Sequence, residues 1–222
     1  MATTERERDF SEIANEIIER FRPISMGFSE IVNKIIKDVK PIISEMYELY
    51  KRGVVMQFER FVGIDPSLRT GFVVLSPFGE VIEAKEIEKE GDDPARMSEL
   101  IQAVVDSVHD TDFVAIEGFG YASQRGFLLG GIGWGMRIEL YRRGIPYIDV
   151  APSLLKKFAG AKGNANKEKV VLEVYKRWGF ESDSNNVIDA FVLAQIARAA
   201  KTETKLIQAQ REVLNKILKE RE

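Results

Sequence analysis

Three acidic residues interrupt apolar sequence in this chain: Asp65 at the end of FVGID, Glu117 at the end of FVAIE, and Asp189 within NNVIDAFVLA. A carboxylate among such residues is costly to bury unless it is paired or holds a cation, so three of them at the edges of core elements are candidates for one shared site. Oxygen-only ligation suits Mg2+ or Mn2+. Two such ions about 4 Å apart would clamp the attacking and leaving oxygens of a phosphodiester in an in-line displacement. Each acid also has a purely structural explanation. Asp65, before Pro66 and Ser67, fits a turn; Glu117 fits a buried ion pair; Asp189, expected in the first turn of its helix, fits the helix dipole. Only the combination points to phosphoryl chemistry. The sequence has a single histidine, His109, in a polar stretch where a surface role is expected. Water activation would therefore fall to metal and carboxylate and not to an imidazole base.

The elements that must position these acids follow from periodicity. Residues 5–52 repeat apolar residues at helical spacing, with Phe28, Val32, Ile35, Val39, Ile42, Met46 and Leu49 alternating steps of four and three. This predicts a helical extension over 1–55 that seeks a partner helix, within the chain or in a second copy. From Phe58 the runs RFVGID, GFVVLS and EVIEAKEIE read as a three-stranded meander, followed by a helix over 94–108, the strand DFVAIEG, a glycine-rich helix over 123–143, the strand IPYIDV and a series of helices. The fold class is α/β. Its main domain is expected over 56–200, with a charged amphipathic helix over 201–222. At 222 residues and 45% hydrophobic content, the chain is sized for one such core and extensions. No apolar run approaches membrane-spanning length, so no membrane partner is expected, and the lack of cysteine excludes disulfides, thiolate zinc and thiol catalysis and fits a reducing cytoplasm.

A formal net charge of −3 excludes a general nucleic-acid coat protein but allows a local basic surface. Between Ala151 and Trp178, Lys156, Lys157, Lys162, Lys167, Lys169, Lys176 and Arg177 face only Glu168 and Glu173. In the loop GAKGNANK, glycines permit close backbone approach to phosphate, and Lys162 and Lys167 can neutralise a nucleic-acid strand. Phe119 and Tyr121 follow Glu117 in a glycine-flanked loop, where ring stacking on an unpaired base would contribute about 1–3 kcal/mol; core packing is the plainer role for Phe119. Gly130, Gly131, Gly133 and Gly135 within one helix imply a closely packed second backbone.

In order and spacing these motifs resemble the RuvC Holliday junction resolvases of the ribonuclease H-like superfamily, especially the smaller phage and bacterial relatives, from about Phe61 to Ala200. The segments that carry the likeness are GIDPSLRTGF, VAIEGF, FLLGGIGWGMRIELYRRGIPYIDVAPSLLKKFAG, GNANKEKV and IDAFVLA. The resemblance implies a mixed five-stranded sheet flanked by helices, and a homodimer cutting branched DNA to leave 5′-phosphate and 3′-hydroxyl ends. It implies Asp65, Glu117 and Asp189 as ligands of Mg2+ or Mn2+, Lys167 beside the scissile phosphate with Lys156 near it, an aromatic at Phe119 or Tyr121 against junction bases, and the glycine-rich helix at the dimer contact. The chain departs from the family at Asn186, where another acid, or sometimes a histidine, usually stands one turn before the last aspartate. An asparagine oxygen can ligate a hard cation without adding charge, leaving the second of two ions more dependent on water, on phosphate or on Asp183. Two other readings use the same residues. A DNA-binding or assembly protein with an impaired site follows from Asn186, and an actin-like nucleotide phosphotransferase follows from GIDPSLRTG. The latter needs a second Asp-Gly phosphate loop, which the sequence lacks, so no nucleotide cofactor is expected.

Overall fold

Three residues, Pro66 to Leu68, separate the first two apolar runs, a link short enough only for an antiparallel return. They pair accordingly as β1 (Arg60–Asp65) and β2 (Arg69–Leu75), and β3 (Val81–Glu88) adds antiparallel to β2. The structure is a computed structural model that describes Lys37 and residues 58–119 and 126–219; the helical extension expected over 1–55 lies outside them. Helix α1 (Ala95–Asp106) carries the chain back to β4 (Asp112–Glu117), parallel to β1, and α2 (Gly126–Arg142) carries it to β5 (Tyr147–Val150), parallel to β4. Helices α3 (Pro152–Ala159), α4 (Lys167–Trp178), α5 (Asn185–Lys201) and α6 (Gln208–Lys219) follow. The sheet order is β3-β2-β1-β4-β5, the mixed five-stranded arrangement expected.

Side-chain alternation divides the core into two layers. Val62, Ile64, Phe72, Val74, Val114 and Ile116 pack with Leu100, Val104, Ile132 and Met136 of α1 and α2. Phe61, Val73, Leu75, Phe113 and Ala115 pack with α5, joined by Leu154, Leu155 and Phe158 of α3 and by Val213, Leu214 and Ile217 of α6. Being covered on both faces, β1 and β4 read as near-continuous apolar runs. Helix α5 is apolar around most of its circumference because it is enclosed. The same alternation puts Asp65 and Glu117 on the α5 face.

Two glycines set how close α5 comes to the sheet. A Cβ at Gly63 would stand 1.9 Å from the Ala190 carbonyl oxygen and 2.4 Å from the Ala194 nitrogen, and a Cβ at Gly71 would stand 1.9 Å from the Asn186 carbonyl oxygen. The helix backbone therefore rests directly on the strand backbones, with nothing flexible in between to yield. Gly63→Ala is expected to push α5 outward and destabilise the protein by about 1–3 kcal/mol, measured by denaturant unfolding. A wild-type midpoint would show that the helix can ride higher at no cost. Among the described residues no helix is long and apolar enough to cross a membrane.

Candidate active site

Parallel strands end together, so the pairing of Ile64 with Ile116 brings the next residues, Asp65 and Glu117, side by side at the carboxyl ends of β1 and β4. This is where open α/β sheets form their binding crevices. Asp189 comes down on them from α5. The sequence reading starts that helix at Val187 with Asp189 in its first turn, but Ser184 caps it by accepting a hydrogen bond from the Val187 nitrogen, so the helix begins at Asn185. Asp189 thus lies beyond the first turn, and the helix dipole is not what its position serves.

The three carboxyls are close enough to disturb one another. Asp65, 7% exposed, is raised above the ordinary carboxylate range, chiefly by burial, against a hydrogen bond with Glu117 and the charge of Lys167. Glu117 is pushed up to about 10 by burial, then by the charge of Asp65 and their shared hydrogen bond, with Asp189 adding to it and Lys156 opposing. Asp189 is raised to about 7 by burial and by Asp65, with Lys167 and Lys156 opposing. Glu117, pushed to about 10, favours its protonated form at neutral pH, since two adjacent buried carboxyls resist ionising together without a cation. No three acid or histidine side chains among the described residues stand as a finished ligand cage. The donor set nevertheless fits a hard divalent ion: it is all oxygen, largely buried, and once the three carboxyls are ionised it carries more negative charge than the two facing lysines offset. Asp65, Glu117 and Asp189 are the residues that would hold it.

A cleft of about 300 Å³ is lined by Glu117, Asp189, Lys156, Lys167, Phe119, Pro66 and the glycines at the start of α2, and Asp65 adjoins it through its hydrogen bond with Glu117. Asn166 caps α4 by accepting from the Lys169 nitrogen, which places Lys167 at the helix start, facing the acids. Lys156 reaches the same space from α3 and donates to the Ala165 carbonyl at 2.8 Å, tying down the lysine loop. Lys162 is exposed in that loop and lies apart from the cleft lining, as does Asp183. Tyr121 lies outside the described residues. Phe119 is half-buried, its ring stacked 5.6 Å from that of Trp134. Asn186 points its amide nitrogen at the Arg69 carbonyl (2.8 Å) and Glu86 Oε1 (3.2 Å). His109 is exposed beside Arg60, at the opposite end of β1 from Asp65.

Two contributors escape the sequence reading. Arg137, 2% exposed on α2, donates to Asp149 of β5, to the Gly133 carbonyl and, at 2.9 Å, to the carbonyl of Glu117, and its guanidinium lies 4.7 Å from the Phe119 ring centroid. It pins the strand end that carries Glu117. Its signal is a single cation inside the apolar GGIGWGMRIEL, a charge that has to find partners when buried. Glu86, on β3, has no comparable sequence signal, since it reads as one of several polar positions on a half-exposed strand.

No family model and no curated protein sequence matches the chain. Solved structures do. Thermus thermophilus RuvC superposes with a TM-score of 0.51 at 22% identity, covering 61% of this chain and 90% of that one. The same organism's RuvC in complex with Holliday junction substrate gives 0.52 at 20% identity, covering 66% and 98%. At such identities the likeness is one of fold, and the chain carries the ribonuclease H-like fold of RuvC.

Proposed function

We propose that the protein is a cytoplasmic, divalent-metal-dependent endonuclease that hydrolyses phosphodiesters in Holliday junctions or related branched DNA. The observation that carries this reading is the convergence of Asp65, Glu117 and Asp189, from two strand ends and a helix, on a cleft that also receives Lys156 and Lys167. The fold shared with a RuvC structure in complex with Holliday junction substrate supports the choice of DNA. Mg2+ or Mn2+ held by the three carboxylates would supply Lewis-acid polarisation of the phosphate and a more acidic water. The chain's own groups do the rest. Lys167 places a positive charge where the phosphoryl oxygens gather negative charge, Lys156 adds a second, and Phe119 offers a ring face at the cleft wall. Lys162, exposed in the lysine loop, extends the DNA contact, and Tyr121 is the second aromatic proposed to meet bases.

The outer face of α2 supports a homodimer as part of this proposal. Phe127, Trp134, Ile138 and Tyr141 are exposed there, Phe127 at 98% and Tyr141 at 78%, and their spacing puts them on one stripe. A Cβ at Gly130, beside that stripe, would meet nothing within 4 Å, so a second backbone has room to approach. A two-fold copy would bring two cleavage sites to two opposed strands. Trp134→Glu is expected to convert a dimer to monomer in sedimentation; an unchanged mass would remove α2 from the contact.

The deciding experiment incubates the protein with labelled four-way junction, flap, duplex and single-stranded DNA in Mg2+ or Mn2+. Cutting of the junction alone or first supports the proposal, and equal cutting of every substrate sinks junction selectivity. Binding without cutting would favour a DNA-binding protein with an impaired site, the reading that Asn186 motivates.

A further inference from the structure

One row of the sheet runs from Glu86 on β3 through Gly71 on β2 to Asp65 on β1, with Glu117 next along on β4. Helix α5 starts over the glycine, where the missing Cβ makes way for the Asn186 carbonyl. From that point two side chains go to opposite ends of the row. Asp189 faces Asp65. Asn186 faces Glu86, its amide nitrogen 3.2 Å from Oε1 and 2.8 Å from the Arg69 carbonyl. The helix-capping Ser184 hydroxyl donates to the same Oε1, and Arg69 holds Oε2 at 2.9 Å. The Arg69 carbonyl also accepts from the Ser67 hydroxyl at 2.7 Å, within the turn that directly follows Asp65.

We propose that Asn186 and Glu86 form a clamp between the first turn of α5 and the β2–β3 ribbon, making Asn186 a positioning residue for Asp189 and not a fourth metal ligand. The inference rests on the reading that the three carboxylates hold a divalent cation. Its physical core is a donor requirement: a Glu86 carboxylate can only accept, so residue 186 must donate, which an amide does and a carboxylate does not. The acid that the family resemblance leads one to expect at 186 would therefore face Glu86 as a like charge and loosen the helix start, weakening the site it is supposed to complete.

The test is calorimetric titration with MnCl2 and melting in EDTA, applied to wild type, N186A, N186D, E86Q and the double variant E86Q/N186D. N186D is expected to melt about 3–8 °C lower without metal and to bind Mn2+ about 10-fold more weakly. N186A should fall between it and wild type. In E86Q/N186D the amide is at 86 and the carboxylate at 186, so donor and acceptor are exchanged between them and both quantities should recover much of the N186D loss, short of wild type because the Arg69 carbonyl no longer has a donor at 186. Tighter Mn2+ binding by N186D, or an additional bound ion, would overturn the proposal, as would losses in the single variants that simply add in the double. A wild type that takes up no Mn2+ would instead defeat the metal reading and the positioning role with it, while rescue of melting in the double variant would still establish the clamp.

Discussion

Asp65→Asn is expected to lower junction cleavage by about 10³-fold, on the scale of losing a principal charge-stabilising group, while leaving junction binding intact and raising the melting temperature of the metal-free protein. The two effects have opposite signs because Asp65 serves the site at the expense of the fold. Its carboxyl is 7% exposed, next to Glu117 and facing Asp189. An amide of the same shape removes the charge that most raises Asp189 after burial, and it relieves Glu117 as well. It also removes a negative charge from a surface that has to accept phosphate. Single-turnover cleavage, a binding isotherm at fixed salt and a melting curve in EDTA separate the three claims. A variant that cuts at the wild-type rate would remove Asp65 from the chemistry, and one that melts lower would mean that the carboxyl contributes to folding through its hydrogen bond with Glu117.

The second large effect is in how stability depends on pH and cation. Asp65, Glu117 and Asp189 all bind protons more tightly when folded than when unfolded. Below about pH 3, where both states are protonated, their ionisation adds no cost to the fold; as pH rises the unfolded chain releases its protons first, and stability drains away until each folded carboxyl ionises. That window reaches to about 7 for Asp189 and about 10 for Glu117. Metal-free protein should therefore lose stability between pH 5 and 9 relative to Glu117→Gln, by a few kcal/mol on the order expected for such shifts. A divalent ion displaces the same protons, so the rise in melting temperature on adding Mg2+ should grow across the same interval. Melting curves of both proteins, with EDTA and with Mg2+, measure it. A difference between them that does not change with pH would mean that the three carboxyls do not share one buried site.

How much of this was legible in the sequence varies by residue. Asp65 and Glu117 could be read because a parallel sheet leaves its strand ends level, and an acid that closes an apolar run has few other places to be. Asp189 could be read as a candidate site residue but not placed, since the start of α5 depends on the Ser184 cap three residues before the first apolar position. The lysine segment was visible as a run of charge, yet charge alone does not separate Lys156 and Lys167, which reach the cleft, from Lys162, which stays in solvent. What divides them is the αL turn at Gly160 that ends α3 and the Asn166 cap that begins α4.

By itself, then, the sequence determined the element order and the mixed sheet and singled out three acids as candidates, because hydrophobic period and strand termination are local properties of the chain. Tertiary structure decided what the acids meet. Two glycines far from Asp189 in sequence let α5 lie on the sheet, Arg137 fixes the end of β4 from the other face, and Glu86 takes up Asn186, the residue that the family resemblance would make a metal ligand. Each of these depends on contacts between residues distant along the chain, which periodicity does not encode.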